Sequence, residues 1–371
     1  LIVAKLSPVV KVGVHAMLSP MVLNSAALDF SMLGTEVPLP KIDHALQELW
    51  ASDEAKTRAS LINFAIYSED PTALAKNNEM LKKITEDHSC RALLITCVPQ
   101  MHPERARAWI NALCRPYQGR QVVCSEQISF ILEGGSAAQL QNIVFAHLDS
   151  DLPLIIWWQG PLVRNFDERL YSRLHTLIID SSSWQEPSTE LLCLEKAHQV
   201  SRFDVRDLSW TRSHFMRTAL AAAFQDVKAR EQLTSLETIE ITHAPGQRCS
   251  ALLLGGWICQ RLNAELMEGE PGFVFAREDG SRITLELQEI SSEVALSSLR
   301  LHSPCLELSV TRQGSSAFVH THSSCAGVSR DEMLPADFVT DSELISAQLS
   351  RAGGNTHFRA ALPLLSRLLA K

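Results

Sequence analysis

The stretch DLPLIIWWQGP, Asp151 to Pro161, sets Trp157 and Trp158 side by side behind the aliphatic run Leu154-Ile155-Ile156. The run has the length and β-branched content of a buried strand, and successive side chains on a strand point to opposite faces. One indole is therefore expected in the core, and the other under a helix or lining a crevice beyond the strand's end. That end is where open α/β sheets keep their ligands, and Arg164 follows close behind it in GPLVRNFDERL.

On either side of this stretch, SLINFAIYS, RALLITCV, QVVCSEQISFIL and TLIIDSS are further short runs of strand character. Helical spacing alternates with them. Ile42, Ala45, Leu46, Leu49 and Trp50 share one helical face; Ala106, Trp109, Ile110, Leu113 and Cys114 share another, between Pro103 and Pro116. More helices are expected near Leu74–His88, Ala137–Leu148, Asp167–Leu174 and Pro187–Gln199. Strands alternating with helices predict an α/β domain on a mostly parallel sheet, covered on both faces as three layers and ending near residue 200.

The second half changes character. A helix stripe at Met216, Leu220, Ala223 and Val227 is followed by LETIEITHA, a helix in SALLLGGWICQRLNAEL, and strand-like runs with brief polar connections. Short connections favour antiparallel pairing, so residues 201–371 are expected to form an α+β domain on an antiparallel sheet, behind an α/β domain over residues 41–200. Residues 1–40 read as a tail, disordered or not native. LIVAKLSPVVKVGVHAMLSP is faintly like a secretory leader but is interrupted by Pro8 and Pro20, and residues 1–31 also read as sequence upstream of a start at Met32.

Composition excludes several partners. Lys plus Arg total 34 against 42 Asp plus Glu, a formal charge of −8, and no basic block offers nucleic acid or an anionic membrane a landing surface. No apolar run reaches the roughly 18 to 20 residues of a membrane helix. The 9 cysteines include no CxxC pair and lie mostly in apolar runs, so reduced core thiols in a cytoplasm are expected.

The motifs of common chemistries are missing. No glycine is followed two residues later by another, so there is no GxGxxG loop; no Gly-Lys pair, GxSxG elbow or HExxH pair occurs. No cofactor is expected. Asp180, Ser181 and Ser182 in IIDSSSW sit at a strand's C-terminal end and are candidates for lining a crevice there, although turn or capping roles are the ordinary ones. His320 and His322 share a strand face in VHTHSSC with Cys325 close behind, the best metal candidates, but exposed histidines on a sheet need no metal and none is expected.

TRASLINFAIYSED, HSCRALLITCVP, VVCSEQISF, DLPLIIWWQGP, LIIDSSSW, DLSWTRSHFMRTALAAAF and LLLGGWICQRL, in this order, resemble the glucose-6-phosphate dehydrogenase assembly protein (OpcA) family over roughly residues 41–371. The resemblance implies a non-catalytic cytoplasmic partner of glucose-6-phosphate dehydrogenase, an allosteric activator in the oxidative pentose phosphate pathway. Thiol redox state modulates the effect in photosynthetic bacteria, which adds thioredoxin as a partner. Trp157, Trp158, Arg164, Trp210 and Arg212 are the expected docking residues, since interface hot spots are rich in Trp and Arg. The competing expectation is a sugar phosphate sensor or enzyme using the sheet-edge crevice near Trp157 and Asp180.

Overall fold

The computed structural model describes residues 29–51, 56–58, 60–101, 103–117, 121–134, 140–351 and 355–371. Of the tail expected over residues 1–40, residues 1–28 lie outside the described residues, as does the start of the helix expected at Ala137, whereas Leu33 is buried in a core and residues 35–37 pair with the first sheet. Two sheets with helices on their faces make an α/β architecture. Among the described residues the first sheet has nine strands. Its flank holds β1 (Thr35–Val37), β2 (Lys56–Arg58) and β5 (Arg105–Tyr117). Its body is β3 (Ile62–Ser68), β4 (Cys90–Val98), β6 (Gln121–Glu133), β7 (Leu154–Trp158), β8 (Thr176–Ile179) and β9 (Asp204–Asp207).

These six lie in the order β6-β4-β3-β7-β8-β9, each parallel to its neighbours. Counted along the chain they read 3-2-1-4-5-6, the doubly wound order whose direction of winding reverses between β3 and β7. Alternation along each strand feeds two cores. Phe64, Ile66, Leu94 and Trp157 join one; Ala65, Tyr67, Leu93 and Trp158 join the other. Helix α2 (Leu74–Asp87) covers the first with Leu74, Leu81 and Ile84; α1 (Ile42–Ala51), α3 (Leu140–Val144) and α6 (Pro187–Val200) cover the second.

The strand Ser125-Glu126-Gln127 shows how helices on opposite faces are pinned. Ser125 Oγ accepts the Cys90 N–H at 3.2 Å. Glu126 takes Arg91 Nε at 2.9 Å and the Trp50 indole N–H at 2.6 Å, holding α1. Gln127 Nε2 donates to Asn78 of α2 at 2.8 Å.

One expected helix is a strand. The segment between Pro103 and Pro116 is β5, antiparallel to β6 along its whole length. Its apolar residues fit a helical face, but the run Arg105-Ala106-Arg107-Ala108 also alternates, and pairing with thirteen residues of β6 outweighs a weak local propensity.

The second sheet has eight strands among the described residues, in the order β11-β12-β13-β10-β14-β15-β16-β17. They are β10 (Thr238–His243), β11 (Glu265–Leu266), β12 (Phe273–Ala276), β13 (Arg282–Glu289), β14 (Leu296–Ser303), β15 (Leu306–Thr311), β16 (Phe318–Cys325) and β17 (Val328–Pro335). Antiparallel pairing holds except between β10 and β13, which are parallel because α10 (Arg248–Arg261) carries the chain across between them. Helices α8 (His214–Ala223) and α10 pack on one face. Strand β17 and helix α11 (Asp341–Ser350) have no counterpart in the sequence reading. Leu344 and Ile345 of α11 return to the first sheet and share the core of Trp157, while α12 (Thr356–Leu369) packs on α10 and α6. No helix among the described residues is long and apolar enough to cross a membrane.

The expectation of nine reduced thiols is corrected at one pair. Cys114 and Cys124 face each other in the β5–β6 register and form a disulfide with Cα atoms 4.0 Å apart. Ten residues apart on a helical reading of this segment, the two cysteines do not face each other; the antiparallel register brings them opposite. The thiols of Cys90, Cys97 and Cys249 are each pushed up to about 12, chiefly by burial, which makes them inert as nucleophiles. Closing so short a loop is worth about 2 to 3 kcal/mol in chain entropy. Reduction, or Cys114→Ser, is therefore expected to lower the unfolding free energy by about that much in urea titrations; an unchanged midpoint contradicts the pairing.

Candidate functional site

The reversal between β3 and β7 opens a crevice of about 410 Å3 at the strands' C-terminal ends, lined by Glu69, Gln159, Gly160, Arg164, Trp184 and Glu190, among others. A doubly wound sheet of this order binds ligands here, with a glycine-rich turn after the first strand. This chain carries Ser68-Glu69-Asp70-Pro71 instead. Asp70 Oδ1 accepts the Thr72 N–H at 2.9 Å and its hydroxyl at 2.7 Å, so a side-chain carboxylate already occupies the position of an anion at that turn.

Glu69 extends the effect into the crevice. Its carboxylate accepts the Tyr67 hydroxyl at 2.9 Å, Asn165 Nδ2 at 3.2 Å and Arg164 Nη1 at 3.1 Å. Opposite it Glu190 accepts the Leu162 N–H at 2.7 Å. Burial raises the Glu190 pKa, the Leu162 N–H opposes this, and the nearby Glu69 charge adds to it. Gly160 permits the close approach: a Cβ there would sit 3.0 Å from the Tyr67 ring and 3.3 Å from Glu69 Cγ. Two neighbouring carboxylates disfavour a phosphate at this point, which weakens the sugar phosphate alternative for this crevice.

Of the two placements open to the second indole, under a helix or in a crevice, the structure has the first, with Trp157 sharing a core with α2. Trp157 is 4% exposed and Trp158 3%, so both indoles belong to the two cores and neither lines a crevice. Trp158 stacks on Tyr67 with ring centroids 3.7 Å apart and meets Phe166 edge-on; its N–H points to Pro161 O at 3.4 Å. The Trp157 N–H has no hydrogen-bond partner among the described residues. Trp210 is also buried, beneath the guanidinium of Arg217 at 3.5 Å. Of the five expected docking residues, Arg164 alone has a largely exposed side chain, at 56%.

Arg212, Asp180, Ser181 and Ser182 do come together, in a polar network rather than an open pocket. An aspartate just after β8 and the one ending β9 each cap the turn beyond: Asp180 accepts the Ser182 N–H at 3.2 Å, and Asp207 the Ser209 N–H at 2.9 Å. The two caps interlock. Ser181 donates to Asp207 through its N–H at 3.0 Å and its hydroxyl at 2.6 Å, while Ser209 Oγ donates to Asp180 at 3.0 Å. Arg212, just after α7 (Leu208–Thr211), grips Asp180 with two bonds of 2.8 and 2.7 Å and reaches Asp341 of α11 at 3.4 Å. Ser182 Oγ lies 3.3 Å from Ser250 Oγ on α10. The repeated Asp-x-Ser at the ends of adjacent strands is the signal in the sequence that marks this lock.

The metal candidates separate. His320 and His322 share the exposed face of β16, with His322 Nδ1 2.8 Å from Asp331 Oδ1, but Cys325 is buried on the other face. Among the described residues no three His, Cys, Asp or Glu side chains group to hold a metal ion. Glu69, Gly160 and Glu190 are not marked by the sequence reading, although Glu69 directly follows β3 and Gly160 lies two residues beyond β7.

Residues 81–196 match the family model described as glucose-6-phosphate dehydrogenase subunit N-terminal domain, and residues 204–362 the corresponding C-terminal domain. The chain is 30% identical over 167 residues to a protein of Nostoc punctiforme named for OpcA of the OxPP cycle, covering 43% of this chain and 35% of that one. A like-named Synechocystis protein is 24% identical over 251 residues, covering 65% of this chain and 51% of that one. The chain thus spans about half or less of the length of these curated relatives. Among solved structures, a 3-ketoreductase from Actinomadura kijaniata is similar at 10% identity and TM-score 0.48, covering 83% of this chain and 96% of that one.

Asp207 is wholly enclosed, and burial, then the Asp180 charge, pushes its carboxyl up to about 6 against hydrogen bonds that oppose the shift. A raised carboxyl pKa stabilises the fold fully below the unfolded value and loses that contribution as pH rises through about 6. Asp207→Asn keeps an acceptor for the two N–H groups without the charge. Wild type is expected to gain up to about 3 kcal/mol relative to the variant between pH 7 and pH 4. Urea unfolding at stepped pH checks this, and parallel pH profiles contradict it.

Proposed function

The chain belongs to the glucose-6-phosphate dehydrogenase assembly (OpcA) family, and from that membership we propose that it is a non-catalytic protein that binds glucose-6-phosphate dehydrogenase and favours the enzyme's active oligomer or conformation. The observation that carries the reading is the pair of family matches, which together run from residue 81 to residue 362. The crevice at the reversal point supports the non-catalytic part. Where a dehydrogenase of this strand order seats its dinucleotide, this chain presents Asp70 as an internal cap and the carboxylates of Glu69 and Glu190.

Such a protein acts through differential affinity. It shifts its client only by as much as it binds the active form more tightly than the inactive one, and a coupling of about 1–3 kcal/mol changes affinity or population by roughly 5- to 150-fold. With Trp157, Trp158 and Trp210 committed to the core, the docking role expected of them passes to surface neighbours of Arg164, among them Val163 at 52% exposure. In a cytoplasmic setting a cystine is usually transient and redox-sensing. For thioredoxin the fold offers the Cys114–Cys124 cystine, with Cys114 at the surface.

The test is the rate of the cognate dehydrogenase against glucose 6-phosphate, with and without this protein. The curve is expected to shift within the roughly 5- to 150-fold range above, while the protein alone turns over nothing. Superimposable curves together with no complex by sedimentation contradict the reading.

A further inference from the structure

A second cleft, of about 340 Å3, lies where α7, α8, α10 and the start of α12 converge, and its character is the reverse of the first. Its chemistry comes from Trp210, His214, Arg217, Trp257, Arg351 and His357, and among the described residues no carboxylate lines it. We propose that this cleft is an anion site that takes a phosphate group, free or carried by a small metabolite. The inference does not depend on the dehydrogenase partnership.

Arg217 is the central observation. Its residue is 8% exposed, yet its hydrogen bonds, to Trp210 O at 2.7 Å and to Ser213 Oγ, use Nη1 alone. Among the described residues nothing accepts from Nε or Nη2, and no carboxylate forms an ion pair with the guanidinium. Asp337 is the acidic group nearby, but both its oxygens accept the Phe215 N–H, at 3.0 and 3.1 Å. A buried guanidinium without a counter-charge is costly. Burial holds the Arg217 pKa down to about 9, with Asp337 opposing and Arg351 adding to the fall.

Three further features point the same way. Arg351 stands half-buried at the end of α11, with no hydrogen bond or ion pair among the described residues, and faces the same space. His214 is kept neutral, at about 4, first by burial and then by the charges of Arg351 and Arg217. The cleft also receives the N-terminus of the 14-residue α12, where Asn355 makes no side-chain cap and instead donates to Val205 O at 3.2 Å. Unpaired N–H groups at a helix start favour an anion. The partly exposed indole of Trp257 supplies an apolar wall for the ligand's organic part.

Calorimetric titration of the full chain with inorganic phosphate, glucose 6-phosphate and glucose, at matched ionic strength in chloride, tests the site. Phosphate and glucose 6-phosphate are expected to bind one site and glucose not at all. Tighter binding of the ester identifies a phosphorylated metabolite, and equal binding identifies free phosphate. Arg351→Ala removes a side chain without partners in the fold, so it should keep the native circular dichroism spectrum while weakening binding by about tenfold or more. His357→Ala, at an exposed position, should weaken it less. Absence of binding by either phosphate compound, binding of glucose as tight as its phosphate, or unchanged affinity in folded Arg351→Ala overturns the proposal.

Discussion

The ion pair of Arg212 with Asp180 ties the end of the first sheet to the helices that lead into and out of the second. The guanidinium side chain is 9% exposed and the carboxylate 19%, so each needs the other in place. Breaking a pair of this kind by removing one partner typically costs about 3–5 kcal/mol, because the survivor stays buried and unpaired. Asp180 lies just after β8, Arg212 follows α7, Asp341 opens α11, and Ser182 touches Ser250 at the start of α10. A small polar cluster therefore joins the edge of the first sheet to the helix that crosses the second and to the segment that returns from it.

Much of this was legible in the chain. The runs of β3, β4, β7 and β8 are largely apolar on both faces, as a covered parallel sheet requires, and α2 and α6 declare themselves by spacing and by Pro187. What was not legible has physical causes. Strand β5 carries apolar residues that satisfy both periods, and the choice is made by β6, a partner remote from local propensity. Strand β17 is exposed at nearly every position and has no buried face to betray it. Helix α11 belongs by sequence to the second half and by packing to the first.

The site was legible in part. Asp180, Ser181 and Ser182 read as crevice candidates and Arg212 as a docking candidate, and residue type does not tell that the four meet in one closed polar network. Trp157 and Trp158 are ambiguous in sequence for the same reason: large aromatic side chains serve cores and interfaces alike. Arg217 drew no attention because its lack of a counter-charge is a property of three-dimensional surroundings. The two clefts now divide the charge between them. One holds carboxylates where a dinucleotide would sit, and the other holds unpaired cationic and N–H donors where the sheets meet.

The central claim is that the Asp180–Arg212 lock makes the two sheets one cooperative body. Native-state hydrogen exchange on wild type and Arg212→Ala measures it directly. Loss of the guanidinium should lower the opening free energies of amides in β8, α10 and α11 by similar amounts, since all three hang on the same cluster. Loss of protection confined to α7 and its neighbouring turn, with α10 and α11 unchanged, would contradict it.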